Sequence, residues 1–114
     1  MYTGTHDNTT TCAWWEELEP ATQDYARFYL LHPDEPMPWP MIHTALASTA
    51  PLAIVPMQDL LGLGAEARMN TPGTVENNWS WRFEWSQLPG DLRARLRELI
   101  QRYGRLGDGA AGPE

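Results

Sequence analysis

The feature that most constrains the fold of this chain is a short apolar run between two prolines. Residues 52–55 read Leu-Ala-Ile-Val and are bounded by Pro51 and Pro56. A wholly apolar run of this length is typical of a strand that is buried on both faces of a parallel sheet. Such a strand needs a neighbouring strand and helices over both faces, so we expect these elements elsewhere in the fold.

Helical patterns occupy much of the remaining sequence. The clearest pattern has Asp91 as its N-cap, Gly104 as its C-cap and five apolar side chains on one face. Pro20 ends one helix and is placed to open the next. The predicted helices cover residues 11–18, 22–31, 41–47 and 92–103.

The predicted elements alternate between strand and helix. Residues 2–5 are uncharged and compatible with the end of a strand, and residues 65–81 form a long loop rich in Asn, Gly, Pro and Thr. The order is close to two successive β-α units of a parallel α/β fold. Two parallel strands would leave sheet edges exposed and apolar faces uncovered. We therefore expect residues 1–105 to be part of a larger fold, followed by a flexible tail at 106–114.

Charge and composition exclude several functional classes. All eight basic residues are arginine and the formal net charge is −7, which argues against a nucleic-acid-binding surface. The single cysteine excludes an intrachain disulfide framework and a thiolate zinc cluster. His32 and His43 are interpreted as incidental residues that do not form a metal site. We therefore expect no metal and no cofactor.

The sequence also bears on location. No stretch approaches the ~20 apolar residues that a membrane-spanning helix requires. The first seven residues lack the basic and apolar regions of a secretory signal. The expected compartment is the cytoplasm, with no membrane partner.

Polar side chains follow both predicted strands. His6 and Asp7 come after the first strand, and Gln58 and Asp59 follow the second. Because active sites of parallel barrels lie at the carboxyl ends of strands, these side chains and the loop at 65–81 are predicted to converge. Carboxylate, amide, imidazole and indole groups together suit a neutral polyhydroxylated ligand. Simpler roles remain open: a helix N-cap for Asp7, a structural hydrogen bond for His6 and loop bracing for Asp59.

Four motifs then point to one enzyme family. They are YTGTHDN at residues 2–8 followed by a Trp pair at 14–15, QDLLGLG at 58–64, RMNTPGT at 68–74 and NWSWR at 78–82. In this order they resemble the late catalytic part of the 4-α-glucanotransferases, the amylomaltase or disproportionating-enzyme family (glycoside hydrolase family 77). The resemblance covers residues 2–103 and departs at Thr9, where the family usually carries an acidic residue.

The resemblance implies a fold and a reaction. The fold would be a (β/α)8 TIM barrel, of which this chain forms about the last two β-α units. The reaction would transfer α-1,4-glucan segments to the 4-hydroxyl of glucose or another glucan with retention of configuration. Retention requires a nucleophilic carboxylate and an acid/base carboxylate ~5–5.5 Å apart. In this family both lie upstream of the GTHDN motif and neither is in this chain, so we expect the chain alone to be inactive.

The resemblance also implies roles for individual residues. Asp7 corresponds to the third catalytic carboxylate, which holds sugar hydroxyls and stabilises the oxocarbenium-like transition state. Substrate-binding roles fall to His6, Asn70, Trp79 and Arg82. The expected partners are α-1,4-glucans and the missing amino-terminal part of the barrel. Two alternatives remain: a non-catalytic glucan-binding module, suggested by the six tryptophans and the amide-rich loop, and one complementing half of a split enzyme.

Overall fold

The computed structural model describes residues 1–107, and the regular secondary structure in that range is helical apart from one β-bridge. The four predicted helices are present, and a short fourth helix in chain order was not predicted. Most of the expected tail at 106–114 lies outside the described residues. None of the helices in residues 1–107 has the length and apolar character needed to cross a bilayer. The helices are α1 (Thr11–Glu17), α2 (Pro20–Arg27), α3 (Trp39–Ala47), α4 (Met57–Leu60) and α5 (Leu92–Arg102), with 3₁₀ turns at Ala65–Ala67 and Trp85–Gln87.

The two predicted strands pair in the expected parallel direction, but over a single bridge. Tyr2 and Ile54 form this bridge. The Ile54 N–H donates to the Met1 carbonyl at 2.8 Å, and the Thr3 N–H donates to the Ile54 carbonyl at 3.3 Å. Within residues 1–107 no longer ladder forms. An isolated strand pair is marginal without further strands, which explains why the extended segments do not lengthen into a sheet here.

The prediction that the apolar run is buried on both faces is wrong for this chain. Ala53 and Val55 pack against the core, whereas Leu52 and Ile54 are 59% and 42% exposed. Because side chains alternate across an extended segment, one face of the run is covered and the opposite face is open. The chain therefore supplies helices for one side of this segment.

The hydrophobic core lies between α3 and α5. The spacing that predicted α5 places its apolar stripe against α3, and the guanidinium of Arg95 lies 3.5 Å from the ring centroid of Trp39. Arg105, just past α5, donates to the carbonyl of Leu46 at 2.7 Å and so ties the ends of the two helices together. The buried core residues are Trp39, Ile42, Leu46, Leu92 and Leu99.

An uncovered aromatic face, formed by Tyr25, Phe28 and Tyr29, lies at the end of α2. The spacing of these side chains predicted a helix as far as residue 31, but α2 ends at Arg27, so Phe28 and Tyr29 lie in the turn that follows it. The three residues are 68%, 87% and 66% exposed. No residue of α2 is buried in residues 1–107. The aromatic face is thus a second apolar surface, besides the open face of residues 52–55, that this chain leaves without a partner among its described residues.

Candidate functional site

A cavity of about 510 Å³ lies where the loops after the two bridged segments meet. The prediction that these loops converge on the long loop is therefore confirmed. Backbone and side-chain groups from three separate segments contribute to its wall. Residues lining it include Thr5, His6, Gln58, Arg68, Met69 and Trp79.

Asp7 is held in place by the long loop. The Asn70 side-chain amide donates to Asp7 Oδ1 at 2.7 Å. The Arg68 guanidinium donates to the Asp7 carbonyl at 2.7 Å and, through Nε, to the Asn70 carbonyl at 2.8 Å. Asp7 Oδ2 lies 3.3 Å from His6 Nε2, and the Asp7 side chain is 51% exposed. One carboxylate oxygen is thus fixed by an amide while the group as a whole stays accessible.

The alternative that Asp7 is a helix N-cap is wrong. Thr10 occupies the N-cap of α1, where its hydroxyl accepts a hydrogen bond from the Ala13 N–H at 3.2 Å. Asn8 turns the intervening chain, since its Oδ1 accepts from both the N–H and the hydroxyl of Thr5 at 2.9 Å. With the cap and the turn satisfied by these neighbours, the Asp7 carboxylate is left to face the long loop.

The rings of His6 and Trp79 contact each other beside the carboxylate. Their ring centroids are 5.0 Å apart and their planes are inclined by 34°. Trp79 has a left-handed backbone (φ 60°), its N–H donates to the Met69 carbonyl at 2.6 Å, and its side chain is 61% exposed. Asn78 braces the loop by accepting from the Thr71 N–H at 2.9 Å. An exposed ring pair beside a carboxylate can stack on an apolar sugar face while the carboxylate takes hydroxyls.

Not every predicted residue reaches the cavity wall. His6 and Trp79 line the cavity, whereas Asp7 and Asn70 bond to each other and adjoin it through His6 and Arg68. Arg82 is exposed and is not among the lining residues. Arg68 was not predicted as a site residue, although it stands two positions before Asn70 in the RMNTPGT motif and joins both loops.

Asp59, a carboxylate that borders the cavity, braces the fold. It is 2% exposed. Its oxygens accept from the Thr3 hydroxyl at 2.6 Å, the Thr11 hydroxyl at 2.7 Å and the Thr11 N–H at 2.9 Å. These bonds connect the first bridged segment, the start of α1 and α4. The predicted bracing role of Asp59 is confirmed.

Comparison with known proteins agrees with the motifs. The sequence profile of a family described as 4-alpha-glucanotransferase matches residues 1–88. The chloroplastic/amyloplastic 4-alpha-glucanotransferase of Arabidopsis thaliana is 46% identical over 110 residues, and the 4-alpha-glucanotransferase of Thermus thermophilus is 40% identical over 112 residues. Each alignment covers 93% of this chain.

The fold agrees as well. The amylomaltase from Streptococcus agalactiae in complex with acarbose superposes with a TM-score of 0.85 and 38% identity over 91% of this chain. The chain spans about a fifth of the length of these relatives: 19% and 22% of the two enzymes and 21% of the amylomaltase structure. The resemblance inferred from the motifs is confirmed: the chain belongs to the 4-alpha-glucanotransferase family.

Proposed function

We propose that this chain forms the last two β-α units of a (β/α)8 barrel that transfers α-1,4-glucan segments to the 4-hydroxyl of glucose or another glucan. The parallel bridge between Tyr2 and Ile54 supports this placement, because parallel pairing is the arrangement of barrel strands. The open face at Leu52 and Ile54 supports it too, since a barrel strand is covered on both sides.

In the complete barrel, Asp7 is proposed to stabilise the transition state. A glucosyl unit that loses its leaving group gains positive charge at the ring, and a fixed carboxylate beside it lowers the energy of that state. The observation that carries this role is the hydrogen bond from Asn70 to Asp7 Oδ1, which orients the carboxylate before substrate arrives. His6 and Trp79 are proposed to bind the same sugar. Arg82 is proposed to help shape the glucan-binding site.

The two remaining carboxylates of a retaining reaction must come from elsewhere in the barrel. Asp59 borders the cavity, but its oxygens are already bonded to Thr3 and Thr11. Asp7 is accessible, but a retaining reaction also requires a separate nucleophilic carboxylate and an acid/base carboxylate ~5–5.5 Å apart. We therefore propose that the chain alone does not transfer glucans and that the upstream part of the barrel completes the site.

A chimaera tests both proposals. The upstream part of the Thermus thermophilus relative is fused to this chain, and disproportionation of maltotriose into glucose and longer maltodextrins is measured. We expect activity from the fusion, none from the chain alone, and a loss of about 10²–10³-fold in kcat for Asp7→Asn. Asp24→Asn, at an exposed carboxylate on α2, is the matched control and should keep full activity. Full activity in the Asp7→Asn fusion, or turnover by the chain alone, contradicts the proposal.

The same materials address the two alternatives. A split enzyme predicts that the upstream part and this chain, mixed as separate polypeptides, recover the activity of the fusion. A glucan-binding module predicts that maltodextrins shift the tryptophan fluorescence of the chain alone, because Trp79 is 61% exposed beside the cavity. A saturable shift that Trp79→Ala abolishes, together with an inactive fusion, favours the module.

A further inference from the structure

A second cluster of polar side chains lies beside the α3–α5 core. His43 on α3 is 1% exposed. Its Nδ1 lies 2.7 Å from the Tyr103 hydroxyl, and its Nε2 lies 2.9 Å from Glu35 Oε2. Within residues 1–107 neither Nε2 nor Oε2 makes a hydrogen bond of good geometry, although the two atoms are within ion-pair distance of each other. Two buried polar atoms thus face each other with electrostatic attraction but without a well-formed hydrogen bond, which is uncommon in proteins.

His32 lies against the same point from the loop between α2 and α3. Its ring stacks on His43 with centroids 4.1 Å apart and planes inclined by 25°. Each of the three residues His32, Glu35 and His43 offers a donor atom within 4.8 Å of the other two. The cluster therefore contains two imidazoles and one carboxylate, held by a buried residue on a helix and by two residues of the loop.

We propose that His32, Glu35 and His43 bind a zinc ion or a similar divalent transition metal. Imidazole and carboxylate are established zinc ligands, with Zn–N and Zn–O distances of ~2.0–2.2 Å. Two ligand atoms at ~2.1 Å from one tetrahedral ion are ~3.4 Å apart, so ligand atoms that lie up to 4.8 Å apart have to close by as much as ~1.4 Å. His32 is exposed, and its ring has to turn out of the stack on His43 to direct a nitrogen at the same ion.

The surroundings of His43 fit this role. When Nδ1 donates its hydrogen to the Tyr103 hydroxyl, Nε2 carries the lone pair and faces Glu35. A metal ion between Nε2 and Oε2 would then satisfy both atoms. The neighbouring cation is Arg95, whose guanidinium lies 3.7 Å from Glu35 Oε2 and stacks on Trp39. It weakens the site electrostatically, yet stacking on the indole holds it to one side of the carboxylate.

The consequence of binding would be structural. His32 and Glu35 belong to the loop between α2 and α3, and His43 belongs to α3. An ion shared among them would fasten this loop to α3 and stabilise the folded chain in proportion to its occupancy. This role is independent of glucan transfer, because none of the three residues lines the cavity beside Asp7.

Calorimetric titration with zinc tests the site. The 114-residue chain is produced without a histidine tag, and binding is measured for the parent, His32→Ala and Glu35→Gln. We expect one zinc ion per parent chain and an affinity at least about tenfold weaker in each variant. His6→Ala removes the third histidine of the chain, at the other site, and should bind zinc like the parent. Circular dichroism of each variant verifies that the helices are retained.

Cobalt provides a readout of the ligands themselves. Visible absorption of bound Co²⁺ reports its coordination, so the parent and His6→Ala should give the same spectrum and His32→Ala a different one. The proposal is overturned by absence of zinc binding to the folded parent chain. It is equally overturned if His32→Ala and Glu35→Gln bind zinc as tightly as the parent, or if His6→Ala removes the binding.

Discussion

Replacing Asp59 tests whether this carboxylate braces the fold or takes part in the proposed catalysis. The side chain borders the cavity, and an acidic group at the carboxyl end of a barrel strand is ordinarily a candidate for catalysis. Its three hydrogen bonds to Thr3 and Thr11 instead assign it to the support of the fold. We therefore expect substitutions of Asp59 to lower stability far more than the turnover of the assembled enzyme.

The bonds set the magnitude of this effect. Hydrogen bonds to a charged group contribute ~1.5–3 kcal/mol each and neutral ones ~0.5–1.5 kcal/mol, and bonds that share one acceptor are not additive. Asp59→Asn keeps the shape and should cost about 1–2 kcal/mol. Asp59→Ala should cost about 3–4 kcal/mol, because the buried Thr11 N–H loses its partner. The Thr11 hydroxyl retains a long bond to the Thr3 carbonyl at 3.4 Å, which limits the loss.

Two measurements check the prediction. Urea denaturation followed by tryptophan fluorescence gives the free energy of unfolding, and maltotriose disproportionation by the fusion gives kcat. Asp59→Asn should lower the free energy of unfolding and leave kcat within about threefold. Asp7→Asn should lower kcat and leave the free energy of unfolding nearly unchanged, because the Asp7 side chain is half exposed. A fall in kcat of about 10²-fold for Asp59→Asn without a change in denaturation midpoint would falsify the reasoning.

Three further predictions follow from individual contacts. Asn70→Ala removes the donor that orients Asp7 and should lower kcat/KM of the fusion for maltotriose by about 10²-fold. Most of this loss should appear in kcat, and the thermal midpoint of unfolding should not change. Trp79→Ala should raise KM for maltodextrins without changing urea stability, because the ring is mainly exposed; unchanged KM contradicts its role. Leu99→Ala should cost about 2–5 kcal/mol in urea denaturation, and Leu96→Ala, at a partly buried position, clearly less; equal losses refute the core assignment.

The sequence predicted the fold best where the chain supplies both partners of a contact. The stripe along α5 packs against α3 as its spacing indicates, and Leu99 is buried there. The strand at residues 52–55 was predicted from its apolar side chains. Apolar side chains indicate that a segment is buried in the complete fold, but they do not identify the residues that pack on it. Ile54 consequently finds its parallel partner in Tyr2 but remains exposed on one side.

The site was predicted in part for a related reason. Convergence of two loops follows from parallel strands, so the proximity of His6, Asp7 and the long loop could be anticipated. The roles of residues within the long loop could not be predicted, because they depend on side-chain contacts between residues that are far apart in the sequence. Arg68 donates to the backbone of Asp7, a contact without any periodic signal. In the cluster with Glu35 and His43, His32 has a left-handed backbone (φ 52°), which the surrounding sequence does not predict.

The uneven burial in this chain links its stability to the glucan transfer proposed for the complete barrel. The centre of the α3–α5 core is buried, whereas Leu52, Ile54 and the aromatic face at the end of α2, which includes Phe28, are open. Covering one large apolar side chain contributes ~1.5–3 kcal/mol, while a whole domain is stable by ~5–15 kcal/mol. Docking of further barrel strands and helices on these faces would therefore add a large fraction of the total stability. The same docking would bring the missing carboxylates to Asp7, so that folding of the barrel edge and completion of the glucan site become one event.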